Sequence, residues 1–178
     1  MIKCTKTGYS YKTPWVSFVC SLFIPGLGQL YNQNHLVGIT FIFLELLFNN
    51  LGNINLSIYY TFNANFSEAR DIVNFQWAMF YPCLYAFAPW HAYNEAKNIN
   101  FQLYNEKISL PARATNLNGL FIGMTVGLNL GFIWGFGGSP IVGTLLGGMI
   151  GAIVGVIIEN VILKYISNNV KSSKIDIK

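Results

Sequence analysis

The sequence predicts an all-α integral membrane protein with about four transmembrane helices and an N-terminal helix that is either broken by proline or re-entrant. Three properties of the 178 residues support this class: 53% are hydrophobic, only 10% are charged, and the mean hydropathy is +0.42. Soluble domains carry about 25% charged residues, so this composition leaves more apolar surface than one globular core covers. We therefore expect the lipid bilayer to be the main partner of the chain.

Four apolar windows are each close to the length of a membrane span. A helix rises ~1.5 Å per residue, so about 20 residues cross ~30 Å of hydrocarbon. A soluble fold would have to bury all of these windows at once, which is far less common than burying one. The windows are residues 36–51, 75–90, 117–136 and 140–162.

The first apolar stretch, residues 15–31, differs from these windows because Pro25 and Gly26 interrupt it. Proline inside a helix removes a hydrogen-bond donor and clashes with the preceding turn. We expect the segment to enter and leave the membrane on the same side, with a further span as the alternative. Lysines precede it, as in a signal peptide, but no small-x-small cleavage site follows, which favours an uncleaved N-terminus.

Basic side chains indicate the orientation, because they favour the cytoplasmic face of a membrane. If the basic clusters share that face, both termini and residues 93–116 are cytoplasmic, and residues 53–74, which contain Arg70, form an external loop. The clusters flank apolar windows and form no compact patch, so we expect a multi-pass protein of the bacterial cytoplasmic membrane that binds no nucleic acid. The clusters are Lys3, Lys6 and Lys12; Lys97, Lys107 and Arg113; and Lys164, Lys171, Lys174 and Lys178.

These signals divide the chain into successive segments. A cytoplasmic N-terminus precedes a membrane module, a cytoplasmic linker, a glycine-rich transmembrane hairpin and a basic cytoplasmic tail. The hairpin turns where Ser139 and Pro140 form a favourable helix start. In order, the segments are residues 1–14, 15–97, 98–116, 117–163 and 164–178.

Glycine recurs at every fourth position in both helices of the predicted hairpin. Glycines at this interval line one helix face and let two backbones approach closely, which favours helix packing in lipid. The two faces either close the hairpin on itself, the interpretation that we favour, or meet a neighbouring subunit in a homo-oligomer. The helix-packing glycines are Gly119, Gly123, Gly127, Gly131, Gly135, Gly143, Gly147, Gly151 and Gly155.

Glu45 is the most unusual polar residue, because it lies in the middle of an apolar window. A carboxylate at that depth is costly unless it is protonated, paired or facing water, and such residues often mark ion pathways. Asn129 lies at a similar depth and is the partner that we expect, while Glu159 lies nearer the cytoplasm, within reach of water or Lys164. The candidate relay is Glu45, Asn129 and Glu159, although polar groups that simply join helices are the plainer interpretation.

The sequence contains no motif for catalysis, a cofactor or a metal: it has no phosphate-binding glycine loop and no nucleophile–histidine pair. His35 and His91 lack ligand-like neighbours, and Cys4, Cys20 and Cys83 lack metal-ligand spacing. We therefore expect a protein that is not an enzyme.

A second motif occupies the turn after the first apolar stretch. It consists of proline, glycine, leucine, glycine and glutamine, then an aromatic residue and an asparagine, and Gly38 opens the next helix. This pattern resembles the small two-transmembrane-helix domain family of membrane modules, and Ala92-Tyr93 with Ala96-Lys97 resembles the end of that module. The resemblance implies a compact module without established catalytic chemistry over about residues 13–97. His91 and Val37 depart from the family's aspartate and lysine. The motif residues are Pro25, Gly26, Gly28, Gln29, Tyr31 and Asn32.

Together these patterns favour a polytopic membrane module that acts through helix packing with itself or with another membrane protein. The alternative is a small homo-oligomeric channel or an ion-coupled transporter subunit, which Glu45 and glycine faces between subunits would support.

The predicted topology determines how a cysteine at Ser10 should react. In a variant without the native cysteines, Ser10→Cys should resist an impermeant thiol reagent added outside intact cells, because the basic residues hold this end inside. Labelling after permeabilisation is the control. Modification from outside would contradict the re-entrant segment and favour a further span in its place.

Overall fold

A computed structural model of the protein describes residues 10–104, 117–135 and 138–175, with the backbone alone at 167–175. These residues form nine helices and no strand, so the predicted all-α class is confirmed. The helices are α1 (Pro14–Phe23), α2 (Leu27–Tyr31), α3 (His35–Gly52), α4 (Ile54–Phe62), α5 (Phe66–Asp71), α6 (Phe75–Ala78), α7 (Phe80–Tyr104), α8 (Asn118–Trp134) and α9 (Pro140–Ile175).

Each apolar window corresponds to helical structure, although the helices do not end where the windows do. Helix α7 continues to Tyr104, past the predicted module boundary at residue 97, and α9 continues to Ile175, into the predicted tail. Most of the predicted linker lies outside the described residues, as do Lys3, Lys6 and Lys178. Of the described helices, two are long and apolar enough to cross a membrane: His35–Gly52 and the Pro140–Ile166 part of α9.

Helices α1 and α2 reverse the chain at Pro25 and Gly26. Gly26 has a φ of +110°, which glycine adopts at little cost, and α1 has already ended at Phe23. The backbone N–H of Thr13, the N-cap position of α1, donates a hydrogen bond to the hydroxyl of Tyr31 (3.1 Å), at the end of α2. The segment therefore returns to the place where it began.

Helix α1 runs antiparallel to α7 across a face of small residues. Lys12 exchanges backbone hydrogen bonds with the Asn100 side chain, and one turn further along α1 the Ser17 hydroxyl donates to the carbonyl of Ala92 (3.1 Å). Alanine recurs at every fourth position of α7 here, which lets the helices approach closely. The fully buried alanines are Ala88, Ala92 and Ala96.

Residues 53–74, predicted as a loop, contain two helices that cover the turn between α8 and α9. Ile54 and Val73 bury their side chains with Phe132, whose ring lies 5.3 Å from that of Phe75. The Ser139 hydroxyl contacts that of Thr61 (2.6 Å) and accepts from the backbone N–H of residue 141 (3.2 Å), as expected of an N-cap. The expectation of a loop was wrong because scattered isoleucines and valines bury against the hairpin despite the many asparagines.

Helices α8 and α9 meet along an antiparallel seam of glycine pairs, which we call the glycine seam. At seven of the eight positions in the seam, all except Gly143, an added Cβ would lie less than 3.0 Å from the partner's backbone carbonyl, closer than real Cβ atoms come. The two backbones are therefore in direct contact, and within one chain the two glycine faces meet each other. The pairs are Gly119 with Gly155, Gly123 with Gly151, Gly127 with Gly147, and Gly131 with Gly143.

Gly135 is not part of the glycine seam, so its placement among the packing glycines was wrong. Its φ is +62°, and it is the C-cap residue of α8. The left-handed conformation that ends a helix favours glycine independently of any packing against a neighbour.

Two adjacent glycines of α9 provide a matched test of the seam. Gly147→Ala would press a methyl group against the backbone carbonyl of Gly127, whereas Gly148→Ala would meet the Cδ2 and Cγ atoms of the Leu128 side chain, which can change its rotamer as a backbone carbonyl cannot. Overpacking costs about 1–3 kcal/mol, while alanine gains about 1 kcal/mol in helix propensity at both positions. We therefore expect Gly147→Ala to lower the melting temperature in detergent and Gly148→Ala to leave it unchanged or raised. Equal melting of the two variants would show that the backbones are not in contact.

Candidate functional site

Four buried polar residues cluster where α1, α2 and α7 meet. They are 0–1% exposed, and the half-buried Glu95 of α7 joins them. Polar side chains so deeply buried are retained only when they are hydrogen-bonded, because each lost bond costs about 1–3 kcal/mol. We call this group the corner cluster: Ser17, Ser21, Gln29, Asn32 and Glu95.

Gln29 ties together three helices. Its Nε2 donates to the carbonyl of Ala88 (2.8 Å) and lies 3.3 Å from Nδ1 of His91, which accepts when Gln29 donates. Its Oε1 accepts from the Ser21 hydroxyl (2.9 Å), which in turn accepts from the backbone N–H of Gly28 (3.1 Å). The amide of one glutamine thereby links α2 to both α1 and α7.

Glu95 joins α7 to the turn between α2 and α3. One carboxylate oxygen accepts from the Asn32 amide (3.0 Å), and the other accepts from the amide of Asn34. Asn34 is also the N-cap residue of α3, accepting from the backbone N–H of Val37 (3.4 Å). The Oδ1 atom of Asn32 is buried without a hydrogen-bond partner.

The structure brings all of the motif residues together at this corner. Pro25 and Gly26 make the turn, and the Tyr31 hydroxyl lies at the start of α1. Gly28 touches the α1 backbone so closely that an added Cβ would lie within 3.0 Å of Ser17 O, Ser21 Oγ and the methyl group of Ala92.

Sequence reasoning missed Ser17, Ser21 and Glu95. A signal for the first two was present, because both the serines of α1 and the alanines of α7 recur at every fourth position. This spacing of small residues predicts close helix contact in the same way as the glycines do. Nothing in the sequence marked Glu95, whose partners come from a turn about 60 positions earlier.

The three residues of the candidate relay are not brought together. Glu45 accepts hydrogen bonds from Tyr81 (3.2 Å) and from Asn49 (3.4 Å). Asn49 lies on α3, as Glu45 does, and Tyr81 lies on α7. Asn129 donates to the backbone carbonyl of Thr125 (2.8 Å), one turn earlier in its own helix, and to the sulfur of Cys83. The expected pairing of Glu45 with Asn129 is therefore wrong, because α8 presents this asparagine to Cys83.

Glu159 has a structural role that the sequence did not reveal. Its carboxylate oxygens accept from the backbone N–H groups of Asn118 (3.2 Å) and Gly119 (3.1 Å), the first residues of α8. A negative charge at a helix N-terminus is favourable because the unpaired N–H groups and the helix dipole are positive there. Glu159 thus caps α8 from across the hairpin, where we expected it to contact water or Lys164.

The described residues contain no group of three or more His, Cys, Asp or Glu side chains that could hold a metal ion. Comparison of the chain with protein-family models, with curated proteins and with solved structures finds no match.

Substitution of two glutamines, one inside the corner cluster and one outside it, should have different effects on stability. Gln29→Leu removes the hydrogen bonds to Ser21 and Ala88 inside the protein, so we expect a loss of about 1–3 kcal/mol and a lower melting temperature in detergent. Gln102→Leu, at an exposed position of α7, should melt like the parent. If the Gln29 variant also melts like the parent, the corner cluster does not hold α1 and α2 against α7.

Proposed function

We propose that the chain is a polytopic membrane protein that acts by packing its helices against itself or another membrane protein, and not by catalysis. The observation that carries the proposal is the distribution of polarity, which is the reverse of a soluble protein. The most completely buried side chains include serines, Gln29 and Asn32, whereas large aliphatic side chains cover the outside of α3 and α9.

The two long apolar helices support a lipid environment because they are mostly exposed. Only 17% of the 18 residues of His35–Gly52 are buried inside the protein, and only 22% of an 18-residue apolar stretch within Pro140–Ile166 are. The core helix of a soluble protein would be mostly buried, since exposed apolar patches of this extent promote association in water. Lipid satisfies such surfaces without a further protein layer.

Helices α7 and α8 are the other two spans in this proposal. Helix α8 has 17 residues, which at ~1.5 Å each approach the thickness of the hydrocarbon layer. Helix α7 is less apolar because one of its faces packs against the small and polar residues of α1 and α2. The reversal at Pro25 supports a re-entrant α1–α2 segment. In this proposal the segment begins and ends on the same side of the membrane as Asn100, near the C-terminal end of α7.

The position of the charges supports a cytoplasmic corner. Lys12 and Lys97 lie at the corner end of the helices, where their ammonium groups approach the rings of Tyr31 and Tyr93. Arg70 lies at the opposite end, near the C-terminus of α8. This is the asymmetry that the preference of basic residues for the cytoplasmic side predicts.

The outer side of the glycine seam supports an action through helix packing. An open apolar groove of about 790 Å³ runs along it, with the seam glycines as its floor. In lipid, a glycine floor lets a third helix approach closely enough to gain packing energy. The walls are formed by Ile122, Val126 and Leu130 of α8 and by Ile150, Val154 and Ile158 of α9.

A channel or an ion-coupled transporter subunit is the second candidate. The observation that favours it is Glu45, a carboxylate hydrogen-bonded to Tyr81 and Asn49 between two proposed spans. Carboxylates in such positions commonly take part in ion or proton movement.

Two lysine substitutions in α9 test the membrane proposal. Ile150 is 62% exposed and lies in the middle of the predicted span, and Ile166 is 52% exposed near its end. A lysine at the centre of a span costs about 2.5–3.5 kcal/mol on insertion scales, whereas one near the end can extend its amine to the interface.

We therefore expect the parent and Ile166→Lys to stay in the membrane fraction after alkaline extraction, and Ile150→Lys to insert poorly. In water both substitutions would be harmless, because both positions are exposed. Recovery of the parent protein in the soluble fraction would contradict the proposal.

A further inference from the structure

Glu45 lies within a continuous row of hydrogen bonds between α3 and α7. The Asn49 amide approaches Oε1 of Glu45 at 3.4 Å, and the Tyr81 hydroxyl approaches the same oxygen at 3.2 Å. The hydroxyls of Tyr81 and Tyr85 are 3.2 Å apart. We call these four residues the Glu45 row: Asn49, Glu45, Tyr81 and Tyr85.

Glu45 keeps hydrogen bonds to Tyr81 and Asn49 in two protonation states. A tyrosine hydroxyl has one hydrogen, so when Glu45 is ionised Tyr81 donates to the carboxylate and Tyr85 donates to Tyr81. When Glu45 carries a proton, the carboxyl can donate to Tyr81, which then donates to Tyr85, and the amide of Asn49 still finds an acceptor oxygen. Glu45, Tyr81 and Asn49 keep their hydrogen bonds in both states, and proton binding frees only the hydroxyl hydrogen of Tyr85, whose side chain is half-buried.

An open pocket lined mainly by asparagines lies next to the Glu45 row at the α3–α4 junction. The pocket has a volume of about 420 Å³, which is ample for water at ~30 Å³ per molecule. Asn49 connects the two, because it lines the pocket while its Nδ2 contacts Glu45 and its Oδ1 accepts from the backbone N–H of Asn55 (3.0 Å). The lining residues are Leu46, Asn49, Asn50, Asn53, Asn55 and Leu56.

The opposite direction, toward the corner, is blocked by aromatic rings. Phe41 lies one turn before Glu45 on α3, and its ring centroid is 5.8 Å from that of Phe87 and 6.0 Å from that of His91. His91 is the nearest titratable group on that side, and its Nδ1 faces Gln29. Within the described part of the chain, no side-chain hydrogen bond continues the row beyond Tyr85.

We propose that Glu45 is a proton-binding site that exchanges with water only from the α3–α4 end. A hydronium ion that enters from the pocket past Asn49 transfers its proton to the Glu45 carboxylate and leaves as water, and the reverse step releases the proton by the same route. The site stores a proton, and proton binding reverses donor and acceptor in the hydrogen bonds among Glu45, Tyr81 and Tyr85. It does not conduct protons across the protein. The site itself is independent of the proposed function, and only its sidedness rests on the membrane location.

Infrared spectroscopy of the detergent-solubilised protein tests the site directly. As the pH is lowered, we expect a carboxylic-acid carbonyl band that Glu45→Gln abolishes and that the matched control Glu68→Gln, at an exposed position of α5, retains. Tyr81→Phe should shift the frequency of this band because the hydroxyl partner is lost. Tyr59→Phe, on the exposed face of α4, should not shift it.

The pattern of results separates this inference from the membrane proposal. A band that Glu45→Gln leaves unchanged, or that Tyr59→Phe and Tyr81→Phe shift equally, would overturn the site whether or not the protein lies in a membrane. In oriented proteoliposomes the band should follow the pH on the α3–α4 side. A response to the pH on the corner side alone would overturn the sidedness.

Discussion

The contact between Gly28 and the backbone of α1 is the constraint on which the corner depends. Because Gly28 has no side chain, α2 lies directly against Ser17 and Ser21, both serine hydroxyls bond to polar groups of α2, and that of Ser17 also donates to a carbonyl of α7. That position brings Gln29 to the carbonyl of Ala88 and Asn32 to that of Ala92. A larger residue at position 28 would separate α1 from α2 and leave these polar groups unpaired in a buried place.

Close helix packing through small residues occurs in two parts of the described chain, between α1 and α7 and between α8 and α9. Alanines and serines let α1 approach α7, and glycines let α8 approach α9, so the closest helix contacts in the protein are made by its smallest side chains. In water such contacts would sacrifice apolar burial. In lipid they cost little, because the exposed aliphatic side chains lose no favourable environment while dispersion contacts between the helices accumulate.

Burial of polar groups and exposure of apolar groups are two consequences of one arrangement. The corner cluster holds α1 and α2 against α7 by hydrogen bonds, which strengthen as the surroundings become less polar. The Glu45 row follows the same rule, since its tyrosine and asparagine partners are what make a carboxyl acceptable between α3 and α7. The resulting surface is apolar along α3 and α9, where lipid or another helix can cover it.

The sequence by itself determined the helical class, the break at Pro25, the start of α9 at Ser139 and Pro140, and the spacing of the seam glycines. These features depend on local rules: helix length, proline geometry, capping and residue periodicity. Only the tertiary structure decided that Glu45 faces Tyr81, that Glu159 caps α8, that Glu95 joins the corner and that the asparagine-rich stretch folds into α4 and α5. Each of these depends on which helices become neighbours, and residues as far apart as the 36 positions between Glu45 and Tyr81 share no local sequence pattern that predicts their contact.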